Sequence, residues 1–498
     1  MVSSTVGFIA PMAVTFITIP LLLHALGEAA YGLQILASII VGYCTILDMG
    51  LDLPIIKYLA EDCAKKDIES ANRLLSTTLQ LYLVVGLLGA IITFLVAGIL
   101  ARNVFRVPED QVVSAIWVFR IAGIGFLFSV LMAWGRAIAV GRQRLEISSG
   151  VSGLATIIGS IVGLLVVYAG FGVVGYVSTR VAVTAAASLI YIGAAKRLMP
   201  ELHLRLGIER NVVHRLVAFV GYGMVYRVSN AFFSRIDQVM VGAWIGVAQA
   251  GVYSLPSMIV PQVTQLIASM IVLFMPLASE FQGLAQIDHL RQIYIRSARF
   301  TAAVATMCFV PLLVFGDQFM YLWAGASVAH TTKSVFRFLL AAGYLGTLAT
   351  VLLINVLIGL GHMKKYALFL LYRGLFLALI CLLLIPSLGL IGAGIAQLLS
   401  SVVDLGFMFY CLPRILAIEG RALLRVAYLK PVLLGLGIGA LAWMIKPMTN
   451  SWLGLTLGVM LFELIYVSIA FVIGVFADTE KRAILGLWQA VLRKFCAI

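Results

Sequence analysis

Long apolar stretches separated by short polar breaks dominate the chain. Runs long enough to cross a bilayer, about 20 residues each, fall near 4–24, 32–57, 76–99, 112–135, 146–168, 172–195, 217–244, 251–278, 300–316, 334–360, 366–386, 390–412, 429–446 and 452–476. They predict an all-α polytopic membrane protein of about fourteen transmembrane helices. Two pairs of runs meet at Gly170-Phe171-Gly172 and Ser387-Leu388-Gly389, where glycine divides what would otherwise read as one long span. The longest connections, around 196–215 and 279–299, leave no room for an extramembrane catalytic domain.

One polar break occurs twice. Leu26-Gly27-Glu28-Ala29-Ala30-Tyr31-Gly32 returns without a gap as Ile245-Gly246-Val247-Ala248-Gln249-Ala250-Gly251, and the same offset carries Glu61 to Glu280. Each copy joins two apolar runs, so the repeated unit is a membrane hairpin and its glycines read as tight-turn residues. Two related halves suggest a transporter with its substrate path between them.

Composition agrees, because 62% of the residues are hydrophobic and 11% charged, against about 45–50% apolar in soluble domains. The net charge of +14 would suit a nucleic-acid partner, yet its distribution follows the loops. Lys57, Lys65, Lys66 and Arg73, then Arg136, Arg142 and Arg144, then Lys196, Arg197, Arg205, Arg210 and Arg215 occupy alternate connections. Arg291, Arg296 and Arg299, Lys364 and Lys365, Arg414, Arg421, Arg425 and Lys430, and Lys481, Arg482, Arg493 and Lys494 continue the series, while the opposite loops hold Arg102, Arg106, Lys333 and Lys446. This asymmetry predicts both termini in the cytoplasm and no nucleic-acid partner. Both copies of the hairpin then lie on the outer side, so the halves are parallel repeats about an axis along the membrane normal.

The first apolar run lacks a basic n-region and contains Pro11 and Pro20, so it reads as a retained helix with bends. The six cysteines form no C-x-x-C, and neither a disulfide, a metal site nor a cofactor is expected. Gly392-Ala393-Gly394 and Gly435-Leu436-Gly437 lie inside apolar spans, where small residues let helices approach closely. Residues 478–498 read as an interfacial amphipathic helix.

Ionisable residues inside the spans carry the functional signal, since the bilayer makes them costly. Arg120 and Arg180 lie about eight residues into spans four and six, roughly 12 Å deep, and Arg227 about ten residues into span seven, roughly 15 Å. Arg235 lies further out on that run, and Arg337 near the outer end of span ten. Guanidinium forks bind phosphate oxygens bidentately and stay charged when partly desolvated, so these five residues are candidates for a diphosphate or other polyanion. Snorkelling or pairing with an acid is the competing reading, strongest for Arg235 and Arg337. Asp48 and Asp52 share a helical face at i, i+4, and Asp237 lies two residues from Arg235. These three acids read as structural partners before coupling sites. Asp404 and Glu463 are also within spans, and Trp117, Tyr222, Tyr226 and Tyr344 could stack on sugars or simply pack.

The run from Leu26 to Leu33, with Leu47-Asp48-Met49-Gly50-Leu51 and Tyr58-Leu59-Ala60-Glu61, resembles the opening of Wzx-type polysaccharide transporters in the multidrug, oligosaccharidyl-lipid and polysaccharide exporter superfamily. Arg235-Ile236-Asp237-Gln238-Val239-Met240-Val241-Gly242 through Gly251-Val252-Tyr253-Ser254 resembles the start of their second half. The resemblance implies two six-helix lobes around a central cavity, 1–195 and 215–413, joined by a linker at 196–214. Two additional helices follow over 428–476. It further implies a non-enzymatic flippase of the bacterial inner membrane. Its substrate would be a polyprenyl-diphosphate-linked glycan moved to the outer leaflet by alternating access, for O-antigen, lipopolysaccharide or exopolysaccharide synthesis. Its partners would be membrane lipid and the polysaccharide polymerase and chain-length machinery. The alternative within the superfamily is a multidrug or organic-cation antiporter, which would favour an acidic cavity. The charges near the midplane here are mainly basic.

Overall fold

The computed structural model describes residues 2–475 apart from 49, 202, 206, 272–273, 285 and 447–448, and only the backbone of 2–9, 48 and 217–223. Among these every regular element is helical. The early helices are α1 (Val2–Leu26), α2 (Glu28–Cys44), α3 (Asp52–Ala64), α4 (Ile68–Ile99), α5 (Glu109–Gly141), α6 (Leu145–Val166) and α7 (Gly172–Leu198). Then come α8 (Arg210–Phe233), α9 (Ile236–Trp244), α10 (Val247–Met270), α11 (Phe274–Gly283), α12 (Ile287–Ala324) and α13 (Ala326–Gly359). The chain continues through α14 (Met363–Leu388), α15 (Leu390–Ile415), α16 (Gly420–Leu423), α17 (Leu429–Ile445) and α18 (Trp452–Ile473). The amphipathic helix expected over 478–498 lies outside the described residues.

Length and hydropathy mark ten of these as membrane spans, or eleven when α10 and α11 count as one. The expected count of fourteen is not established by that criterion, and the differences are local. The stretch Leu145–Leu198 passes as one apolar run, although Gly170 and Gly172, at φ 91° and 59°, divide α6 from α7. Gly389, at φ 59°, likewise separates α14 from α15. The run over 217–244 is two helices, broken at Ser234 and Arg235.

Compactness groups the chain into Met1–Ser254 with Leu370–Gly389, and Leu255–Phe369 with Leu390–Ile498. In the first unit, Ile55 and Leu59 of α3, Leu74 and Tyr82 of α4, and Phe126 and Trp134 of α5 form a buried apolar cluster. The Trp134 indole donates to Thr78 Oγ1 at 3.2 Å, so the one polar atom of this large side chain is satisfied. Gly86 of α4 sits against Leu127 and Val130 of α5, which lets the two backbones close up. In the second unit, Val310, Val314 and Phe315 of α12 pack with Ile438 and Ala442 of α17 and with Leu455, Phe462 and Tyr466 of α18. Two glycines of the apolar spans lie close to neighbouring side chains, Gly394 against Phe338 and Val335 and Gly435 against Thr306, whereas Gly437 faces open space.

The repeated hairpin has two kinds of glycine. Gly27 and Gly246 take φ of 79° and 131° and make the turns, as their position between helices requires. Gly32 and Gly251 are helical close-approach residues instead. A Cβ on Gly32 would overlap the carbonyl oxygen of Val247, and one on Gly251 would lie 2.9 Å from the Gly32 backbone. The two copies therefore pack on one another, α2 against the start of α10, with backbone touching backbone.

Each copy is also followed by a broken helix. The apolar run over 32–57 is α2, a 3-10 turn at Thr45–Asp48, and α3. In the second copy α10 ends at Met270 and α11 begins at Phe274, their axes differing by 42°. The sequence offset carries Leu51, which ends the first break, onto Met270, and Glu61 of α3 onto Glu280 of α11.

Candidate functional site

The break between α2 and α3 is set by Gly50, whose φ of 73° belongs to the left-handed region. Its missing side chain also makes room for Arg227 of α8: a Cβ at Gly50 would lie 2.6 Å from Arg227 Cδ and 2.9 Å from its Nε. Asp52 stands in the first turn of α3, where the exposed N–H groups favour a carboxylate. Arg227 Nη1 reaches Asp52 Oδ1 at 2.9 Å. Asp52 is 19% exposed and Arg227 37%, so the carboxylate is held while part of the guanidinium stays accessible.

A second arginine of α8 repeats the arrangement further along α3. Arg215 contacts Glu61 Oε2 at 3.3 Å and Asp62 Oδ1 at 3.6 Å, and lies over the Tyr58 ring at 3.8 Å. Tyr58 Oη donates to the Arg215 carbonyl oxygen at 3.4 Å, and the buried Asp62 also accepts from Ser70 Oγ at 3.0 Å. Since Arg215 meets residues 61–62 and Arg227 meets residue 52, α8 runs antiparallel to α3, pinned at both ends.

Beyond Arg227, α8 stops at a second break. Arg235 is exposed and occupies the N-cap position of α9. Asp237, two residues on, is buried and accepts from Tyr253 Oη of α10 at 2.6 Å. Across from this break the Tyr43 ring of α2 stacks on Phe232 with centroids 5.4 Å apart. Among the described residues the buried Tyr43 hydroxyl has no hydrogen-bond partner, and it lies within electrostatic reach of Arg235 and Asp237. The two breaks thus meet through Tyr43 and Phe232, with Arg235 and Asp237 at the start of α9 beside them.

The other expected residues lie elsewhere. Arg120 stacks over Phe94 at 4.3 Å and Trp117 at 5.7 Å, on the seam of α4 and α5, and its buried Nε has no hydrogen-bond partner among the described residues. Arg180 lies against Gly159 on the seam of α6 and α7 and donates to Ser160 Oγ at 3.4 Å. Among the described residues neither has a carboxylate within ion-pair distance. Arg337, in the second unit, is bound through its guanidinium to Asp317, which also holds Lys446 Nζ at 3.0 Å and Lys333 Nζ at 3.9 Å. The side chain of Asp48 lies outside the described residues. Arg120, Arg180 and Arg227 therefore occupy three separate helix seams, Arg235 is exposed at the start of α9, and Arg337 belongs to a separate cluster in the second unit. Asp52 pairs with Arg227, and Asp237 accepts from Tyr253.

Sequence reading passed over Arg215, Glu61, Asp62, Asp317 and Lys446 because each sits at a loop or span end, where a charge needs no explanation. Tyr43 carried no signal at all.

The fold defined by these helices is that of membrane transporters. The structure matches the lipid II flippase MurJ in its inward closed conformation with a TM-score of 0.74 at 12% identity, over 93% of this chain and 99% of that one. It matches an inward-facing multidrug resistance MATE family transporter of the MOP superfamily with a TM-score of 0.63 at 17% identity, over 83% and 98%. At such identities the likeness is one of fold. In sequence, residues 22–331 match the family described as polysaccharide biosynthesis protein, and the chain belongs to that family. The uncharacterized membrane protein EpsK of Bacillus subtilis (strain 168) is 20% identical over 329 residues, and the match spans 66% of this chain and 64% of EpsK. The protein is thus a multi-pass membrane protein of a polysaccharide-biosynthesis family, built on a transporter fold.

Proposed function

We propose that the protein is a flippase that moves a polyprenyl-diphosphate-linked oligosaccharide from the cytoplasmic to the outer leaflet of the bacterial inner membrane by alternating access. The two lobes that move are the repeats at 1–195 and 215–413, with both termini cytoplasmic. The product serves O-antigen or another surface polysaccharide, handed to polymerase and chain-length machinery. The protein makes and breaks no covalent bond.

One observation carries the reading: Arg120 and Arg180 are guanidiniums within apolar spans that lack a carboxylate partner among the described residues. A cation kept in that setting needs an anion, and the substrate's diphosphate supplies one. Arg227 has a partner, but its exposed portion leaves it able to exchange Asp52 for phosphate oxygens. Family membership supports polysaccharide as the cargo, and the shared fold with a lipid II flippase supports a lipid-linked form of it. An organic-cation antiporter shares the fold but is poorly served by unpaired arginines.

The physical problem suits this solution. Moving a diphosphate through hydrocarbon unaided costs tens of kcal/mol, whereas a cationic cavity carries the head group while the polyprenyl tail stays in lipid. With an inside-negative potential, outward movement of two negative charges releases about 4.6 kcal/mol per 100 mV. The test is a vesicle flipping assay with a defined polyprenyl-diphosphate glycan, comparing the parent with Ala and Lys variants of Arg120, Arg180 and Arg227 at matched protein levels. Export is expected to fall at least tenfold for the Ala variants, corresponding to about 1.4 kcal/mol. Unimpaired flipping in all three would remove these residues from the mechanism.

A further inference from the structure

Two of the basic residues that lie outside the basic loops, Lys333 and Lys446, converge in the second unit, and Arg337 joins them. Their meeting point is Asp317 Oδ2, which Arg337 Nη2 contacts directly, with Lys446 Nζ at 3.0 Å and Lys333 Nζ at 3.9 Å. Asp317 directly follows the apolar run 300–316, Arg337 lies near the start of the run 334–360, and Lys446 closes the run 429–446. Helices α12, α13 and α17 thus bring the ends of three spans to one carboxylate. Trp443, half exposed, lies under Arg337 at 5.4 Å and under Lys446 at 4.4 Å, and tryptophan concentrates where a span meets the membrane surface.

The charges at this point do not balance. Among the described residues none of the three cations has a second acid within ion-pair distance, so three cations on one carboxylate leave two positive charges uncompensated. Donors are in larger excess, because each of these groups carries several N–H bonds and all three contacts fall on the same oxygen. Arg337 Nε is buried with no hydrogen-bond partner among the described residues. Lys446 is only 12% exposed, whereas Lys333 at 54% and Arg337 at 37% open outward. These two stand one turn apart on α13 and share a face of it, so the surplus charge is presented at one accessible spot. A structural pair needs a single cation, and the mutual repulsion of the other two is offset only by a further anion.

We propose that Lys333, Arg337 and Lys446 form an anion site for a phosphate or diphosphate group, at the membrane surface opposite the basic loops. A phosphoryl group carries about two negative charges near neutral pH, which matches the surplus. Its several oxygens can take the guanidinium fork and the ammonium groups together, whereas the single carboxylate of Asp317 leaves most of their donors unused. That the group arrives on the transported lipid rests on the flippase reading, under which this site receives the head group at the far leaflet. Arg120, Arg180 and Arg227 belong to the other unit and are not part of it.

The test uses the purified full-length chain in a non-ionic detergent, titrated at constant ionic strength with geranyl diphosphate, inorganic diphosphate or geraniol and followed by thermal unfolding. Both diphosphates are expected to raise the Tm, and geraniol to leave it unchanged. Asp317→Asn removes the competing carboxylate, so its affinity for either diphosphate is expected to rise about tenfold or more, with the added anion restoring stability that the substitution costs. Lys333→Glu, at the exposed edge of the cluster, is expected to lower the affinity by about as much, and it decides the matter should Asp317→Asn fail to fold. Arg102→Glu reverses an exposed charge that also lies outside the basic loops and is expected to leave the affinity unchanged. Each variant is compared with the parent, so diphosphate held by arginines of the first unit cancels. Tighter binding of geranyl diphosphate than of inorganic diphosphate assigns the site to a lipid-borne group, and equal binding to a free anion. Parent-like affinity in Asp317→Asn or Lys333→Glu, or an equal loss in Arg102→Glu, overturns the site. Because the titration reads binding and not movement, a chain that binds as expected yet moves no lipid in the vesicle assay refutes the flippase reading and leaves the site standing.

Discussion

Arg227 and Asp52 approach at 2.9 Å from different helices, the carboxylate 19% exposed and the guanidinium 37%. Asp52→Asn keeps the shape and removes the charge, so it leaves the guanidinium uncompensated against Gly50. The expected cost is about 1–3 kcal/mol, seen as a lowered Tm of the purified protein, and Arg227→Met in the same background should recover part of it. A coupling energy near zero in that double-mutant cycle would show that the pair contributes nothing. Gly50→Ala fails for two independent reasons, a left-handed φ and a Cβ pressed on Arg227, and its Tm should fall more than that of Asp52→Asn. Asp317 offers a parallel case. It holds Arg337, Lys446 and Lys333 together while itself only 18% exposed, so Asp317→Asn sets three cations against one another. A loss of about 3 kcal/mol is expected, measured by thermal unfolding, with Lys446→Met restoring part of it.

Helix existence was legible in the sequence because a bilayer demands about 20 apolar residues per crossing, and that demand overrides finer propensity. The breaks were not. Apolar side chains continue through Ile46, Leu47, Leu51 and Leu53, so hydropathy sees one run where the backbone turns at Gly50. Asp48 and Asp52 read as i, i+4 neighbours on a single helix, yet one ends the 3-10 turn and the other opens α3. Arg235 similarly reads as a candidate phosphate ligand or a snorkelling residue on one continuous run, whereas it occupies the N-cap position of α9 at a second break. Repetition held more than it first shows, since Gly32 and Gly251 look like turn residues and are the contact between the two copies. Only Gly fits where one helix meets the backbone of another, so Gly32→Ala should force α2 and α10 apart. A destabilisation of about 3 kcal/mol is expected, against about 1 kcal/mol for Gly27→Ala, which strains one turn. Comparing folded yields of the two by fluorescence-detected size-exclusion chromatography checks this, and Gly32→Ala matching the parent would contradict the close approach.

At the scale of the molecule, the division proposed at 1–195 and 215–413 puts α3 in the first half and α8 in the second, and Arg215 and Arg227 tie these helices together along their length. In the proposed flippase cycle the halves would rearrange around the substrate, so ties between them would break and reform in each turn. They are suited to it, because ion pairs that are a third exposed, such as Arg215 with Glu61 at 36% and 40%, are each worth only about 0–1 kcal/mol. A covalent tie in the same place would not open. With the six native cysteines replaced, Glu61→Cys and Arg215→Cys bridged by a short bis-maleimide linker should abolish flipping of a lipid-linked glycan, while each single variant treated alike retains it. Cys introduced at Asn72 and Glu201, whose side chain and carbonyl meet at 2.9 Å within the first repeat and its linker, gives the control, since a bridge there spans no moving junction. Full flipping by the 61–215 bridged protein would show that α3 and α8 stay together throughout the cycle and that the opening occurs elsewhere.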